Sequence, residues 1–106
     1  MADHSMKIRA QLKGDFCEIK MIMSHPMETG RRKNDRDEIV PAHFIQLVTV
    51  TLNGKTVLEA QWGTGVSKNP YLTFRVKGAQ ISDKVVVSWR DNLGESASGE
   101  GVVTQA

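Results

Sequence analysis

The sequence is short of the features from which a function is usually read. It has one cysteine, Cys17, so no internal disulfide can brace it and its redox compartment is not marked. No apolar run approaches the ~18 residues a membrane helix needs, so the chain is not expected to enter a membrane. The opening Met1-Ala2-Asp3-His4-Ser5 lacks the positive start and apolar stretch of an export signal, which by itself points to the cytoplasm. Charge of one sign is also scarce. Lys and Arg number 14 against 12 acids, a formal charge of +2, and the excess is too small and too dispersed along the chain to argue for nucleic acid.

Catalytic constellations are missing as well. No nucleophile–base–orienter set is visible, nor a pair of carboxylates at a fixed separation. Gly63-Thr64-Gly65 superficially resembles a phosphate loop, but no helix follows whose amides would hold the anion. His25 and His43 are the nearest thing to a metal signature. They stand 18 residues apart without a third ligand at recognisable spacing, a weak pattern, and His4 lies in the expected tail. Cys17 shares parity with Ile19 and Met21, which directs it into the core, where a thiol is inert. The sequence therefore reads as a binding protein and not an enzyme, with a small metal-binding or redox protein using His25 and His43 as the alternative.

What the chain does have is period-two patterning. Met6, Ile8, Ala10 and Leu12 alternate with polar residues, Lys13-Gly14-Asp15 turns, and Cys17, Ile19, Met21 and Met23 alternate again, giving a hairpin. Residues 24–40 read as a long exposed connection, ending in the mixed-charge run from Arg31 to Glu38, whose opposite signs mostly solvate a loop. From Phe44 to Leu52 a strand is expected that is apolar on both faces in its first half. Asn53-Gly54 then gives a hairpin turn, because a type I′ turn needs positive φ at both central positions. The return strand places Leu58, Ala60 and Trp62 together. Leu72, Phe74 and Val76 define a fifth strand, Val85, Val87 and Trp89 a sixth, and residues 95–103, rich in Ser and Gly, a weak seventh. Trp62 and Trp89 sit on the parity of their apolar neighbours and read as core residues. No segment sustains a helical period. The expectation is all-β: a tail over residues 1–5, then one domain over 6–104 folded as a seven-stranded immunoglobulin- or fibronectin III-like β-sandwich.

Several segments carry a resemblance that extends over nearly the whole chain. They are Ser24-His25-Pro26-Met27-Glu28-Thr29-Gly30, Ile39-Val40-Pro41-Ala42-His43-Phe44-Ile45, Leu52-Asn53-Gly54-Lys55 and Leu58-Glu59-Ala60-Gln61-Trp62-Gly63. Val66-Ser67-Lys68-Asn69-Pro70-Tyr71-Leu72, Val87-Ser88-Trp89-Arg90-Asp91-Asn92 and Gly94-Glu95-Ser96 complete the set. Together they resemble the SoxZ family, the non-catalytic half of the sulfur-carrier complex of bacterial thiosulfate oxidation. The resemblance implies a tight heterodimer with SoxY, whose flexible C-terminal cysteine arm carries covalent sulfur intermediates, and transient contacts with SoxAX, SoxB and SoxCD. It implies a periplasmic location, the chain travelling out with SoxY, and no cofactor. Isolated from its partner, such a chain can pair with itself. Two loops set on a rigid sheet, Ser24, His25, Pro26, Met27, Glu28, Thr29 and Gly30 in one and Ser67, Lys68, Asn69, Pro70 and Tyr71 in the other, are the expected partner-binding residues, joined by Phe44 and Trp62. Part of the surplus apolar surface of the strand beginning at Phe44 is expected to lie under SoxY.

Overall fold

The computed structural model describes residues 5–106, so the expected tail lies outside the described residues except for Ser5. Seven strands follow one another: β1 (Met6–Lys13), β2 (Phe16–Met23), β3 (Ile45–Leu52), β4 (Lys55–Gln61), β5 (Tyr71–Lys77), β6 (Lys84–Asp91) and β7 (Ser96–Gln105). There is no helix among the described residues. The hydrogen-bonded order is β4-β3-β6-β7-β1-β2-β5. β7 pairs antiparallel with β6 along residues 96–102, then parallel with β1 through Val103, Thr104 and Gln105. One strand thus serves both layers, and the expected sandwich is a single sheet folded over itself, nearly a barrel, open only at the β4 and β5 edges.

The alternation read from the sequence sets which side chains meet. Ile8, Met21 and Leu72 form one cross-strand row, Ala10, Ile19 and Phe74 the next, and Leu12, Cys17 and Val76 a third. They pack against Val48, Val50, Val85, Val87 and Trp89 of the other layer, where Val48, Val50, Val85 and Val87 have no exposure at all. Each such aliphatic side chain contributes roughly 1.5–3 kcal/mol by leaving water. The Asn53-Gly54 turn has φ of 49° and 84°, the doubly positive conformation its sequence calls for.

Two readings change in detail. The strand beginning near Phe44 carries apolar residues of both parities because a bulge shifts its register on β6 between Ile45 and Leu47. The extra residue turns Ile45 into the core beside Val48, so most of the apparent surplus is internal. The long connection expected over 24–40 runs on to residue 44 and is likewise built. Glu28 and His43 bridge across it, and Lys33 and Ile39 close a small outlying hairpin whose turn is held by the Asn34 side chain accepting from the amides of Arg36 and Glu38.

The weak, Gly-rich seventh strand is the longest, at ten residues, and its glycines explain it. A Cβ on Gly101 would stand 2.9 Å from Ile8 Cγ2, and one on Gly99 2.7 Å from Met6 Cγ. Their bare backbone lets β1 side chains close against β7 where the layers merge. Gly101→Ala is expected to destabilise the fold by roughly 1–3 kcal/mol through overpacking. Urea unfolding of the variant checks this; an unchanged midpoint would mean that the layers can spread at that point.

Candidate functional site

One end of the sandwich gathers three inter-strand connections around a buried carboxylate. Asp91 closes β6, and its side chain has no exposed surface. The residues after it form a tight turn in which Asp91 Oδ1 accepts from the amides of Leu93 and Glu95, at 3.0 and 2.9 Å. Asp91 Oδ2 accepts from both histidines singled out in the sequence, His25 Nε2 at 3.0 Å and His43 Nε2 at 2.7 Å. The rings of His25 and His43 meet edge to face at 4.6 Å, and His25 meets Trp89 at 5.0 Å in the same manner. Burial pushes the Asp91 carboxyl up, but the donations from His25, His43 and the two amides outweigh it and hold the group below its ordinary range.

Around this centre the loops are tied backbone to side chain. Asn69 accepts from the His25 amide through Oδ1 at 3.0 Å and donates its own amide to the His25 carbonyl at 2.9 Å. The Asn92 side chain accepts from the Phe44 amide and donates to the Ala42 carbonyl. Residues 24–30, 42–44, 69–70 and 91–95, drawn from segments far apart in sequence, form one continuous surface. Several of the expected partner-binding residues therefore shape that surface from below. His25, Met27 and Pro70 are buried, Ser24, Glu28, Gly30, Phe44 and Trp62 half-buried, and Pro26, Thr29, Ser67, Lys68 and Asn69 exposed. Tyr71 departs from the group: paired with Ile22, it points out from the β1–β2–β5 layer. Trp62 packs against the core, its amide donating to the Gln46 carbonyl.

The ligand atoms of His25, His43 and Asp91 lie within 4.8 Å of one another, a set of donor types that divalent cations accept. The hydrogen bonds point the other way. The Met27 amide donates to His25 Nδ1 at 3.1 Å, so the lone pair of that nitrogen is engaged and the ring proton sits on Nε2, aimed at Asp91. A metal-bound imidazole has the reverse arrangement, its free nitrogen donating to an acceptor. The separations of 2.7 and 3.0 Å are also hydrogen-bond lengths. Ligand atoms around tetrahedral zinc stand roughly 3.3 Å apart. The cluster is a latch that binds loops to the strand end. Asp91 was visible in the sequence only as the start of a turn; its sole other signal was its place beside Trp89 in a segment that carries the resemblance.

Fold and site together are a small β-sandwich with a locked loop surface at one end and its only thiol in the core. The match to the family described as Sulphur oxidation protein SoxZ runs over residues 6–102, nearly the full chain. The chain belongs to the SoxZ family, and with it to the non-catalytic components of the Sox sulfur-oxidation system. No curated protein matches the sequence. Among solved structures, a superoxide reductase in the oxidised state aligns with a TM-score of 0.69 at 15% identity, covering 98% of this chain and 90% of that one. The superoxide reductase (neelaredoxin) of Ignicoccus hospitalis gives 0.64 at 17%, covering 97% and 81%. That of Archaeoglobus fulgidus, in the reduced form, gives 0.63 at 16%, covering 95% and 88%. At such identities the likeness is one of fold alone.

The latch makes a specific demand on stability. Asn in place of Asp91 offers one acceptor and one donor where four donors converge, so Asp91→Asn is expected to cost roughly 3 kcal/mol. Because the folded carboxyl lies below its ordinary value of 3.8, the latch's charge contributes fully above that pH and is lost as pH falls through the lower folded value. As pH falls below 3.8, urea midpoints should drop more steeply for the native chain than for the variant. Parallel curves would remove Asp91 from the acid response.

Proposed function

We propose that this chain is the non-catalytic subunit of a heterodimeric sulfur carrier, paired with SoxY, whose cysteine arm holds the sulfur intermediates while SoxAX, SoxB and SoxCD act on them. The family match over nearly the whole chain carries the reading. The chemistry of the chain supports it. Cys17 has no exposed surface, and burial, with the Asp83 charge added, raises its thiol above the ordinary range. A sulfur-bearing group must swing between enzymes on a mobile, accessible thiol, so this chain is suited to hold the carrier and not to be it. The rigid loop surface around the Asp91 latch, with Phe44 and Trp62 beside it, is the side we assign to SoxY and its arm. A periplasmic location follows from the pairing, with export on the signal that SoxY supplies.

Metal binding at His25 and His43 is the reading that the Met27 donation to His25 argues against, and elemental analysis of chain purified without chelator separates the two. Co-expression with the SoxY-type chain, followed by size-exclusion chromatography with mass measurement, tests the main proposal. A stable one-to-one complex is expected, weakened by Trp62→Ala; separate elution at micromolar concentration would overturn the pairing. Alkylation provides a second check. Cys17 should resist iodoacetamide in the folded chain and react on denaturation, whereas fast modification of the native chain would return it to candidacy as a carrier.

A further inference from the structure

The cations that look scattered in the sequence are gathered by the fold. Directly opposed residues share a face of a sheet, so the register of β1, β2 and β5 decides which of them look outward. Lys7, Arg9 and Lys13 of β1, Lys20 of β2, and Arg75 and Lys77 of β5 all do, against the single carboxylate of Glu18. These six cations and one acid put a net +5 on this face, against +2 for the whole chain, so the rest of the molecule is net acidic. Glu18 is already shared, 2.9 Å from Lys13 and 3.4 Å from Lys20. Among the described residues no acid forms an ion pair with Lys7, Arg9, Arg75 or Lys77. Arg9 stands directly across from Lys20, a like-charge pairing that works against the sheet. The opposite outer face, from β4 to β7, is balanced: Lys84 and Arg90 are offset by Glu59 and Glu100, with Lys84 and Glu100 3.8 Å apart.

We propose that the outer face of β1–β2–β5 is a docking surface for an acidic protein that binds and leaves. Charge complementarity selects the partner: a carboxylate-rich patch would relieve the Arg9–Lys20 repulsion and engage Lys7, Arg9 and Lys77, while Arg75, stacked over the Phe16 ring, keeps its charge on the same face. The apolar content selects a protein. Ile22 and Tyr71, 44% and 57% exposed, sit beside Lys7, Arg9 and Lys20 around a shallow depression that a side chain can enter. Density of charge selects a transient contact, since the cores of permanent interfaces are depleted of charged residues while steered encounters depend on them. The tight partner belongs elsewhere, and this face is free for the enzymes that visit the carrier. The inference rests on the carrier reading.

The test uses the intact one-to-one complex, immobilised and exposed to each purified catalytic protein of the system in turn. In the triple variant Lys7→Glu/Arg9→Glu/Lys77→Glu, association with at least one acidic enzyme should slow tenfold or more, while the variant remains in the complex. The native rate should fall steeply with salt. Glu at position 9 would face Lys20 and form a pair, so the fold is not endangered, and the milder Lys7→Gln/Arg9→Gln/Lys77→Gln should give an intermediate rate. Lys84→Glu/Arg90→Glu on the opposite face should change nothing. Unaltered rates for every enzyme overturn the proposal. Loss of the complex in the triple variant also overturns it, since the face would then belong to the tight interface, as does tighter binding to a short DNA duplex than to any of the proteins. Failure of the native chain to pair with SoxY at all sinks the carrier reading instead, and is seen before any enzyme is added.

Discussion

Asp91 ends β6 with its carboxylate out of reach of water, and four donors converge on its two oxygens: His25, His43 and the amides of Leu93 and Glu95. A buried charge is tolerated only when such donors replace its hydration, and here each donor comes with a stretch of chain attached. His25 fixes the loop after β2, His43 the approach to β3, and the two amides the turn into β7. The Met27 amide then decides the tautomer of His25 and aims its Nε2 proton at Asp91. Loops that would be the softest part of a β-sandwich are made into a defined surface.

The only thiol is sealed in the core, and both histidines are turned toward Asp91. The two outer faces differ in charge. One is neutral and rich in Ser and Thr; the other carries a net positive field. The same three strands that supply Ala10, Ile19 and Phe74 to the interior display Arg9, Lys20 and Arg75 outside, because alternation sends neighbouring residues to opposite sides. A superoxide reductase fold with no comparable sequence shows how little the architecture alone says about chemistry.

Much of the strand pattern was legible because it is local. Alternation in 6–12, 17–23, 72–76 and 85–89 located four strands, and Asn53-Gly54 placed a turn by a steric requirement met within two residues. The bulge at the start of β3 was not legible, since nothing local distinguishes a residue that slips out of register from a strand covered on both faces. The merit of β7 was hidden too: Gly99 and Gly101 lower strand propensity, and their value lies in contact with Met6 and Ile8, more than 90 positions away. At the site, His25 and His43 were noticed and Asp91 was not, because an aspartate before Asn-Leu-Gly is what any turn would show.

By itself the sequence determined the all-β class, the number of strands, the inward parity of Cys17 and the family, all of which depend on residue type and near-neighbour spacing. Only the tertiary structure decided that two histidines and an aspartate form a latch with the ring proton on Nε2, and that cations spread over 70 positions share one face. The first depends on contacts between loops and a strand end distant in the chain, the second on the register of β1, β2 and β5. Register is set by packing and turn geometry together, and a composition or a motif does not contain it.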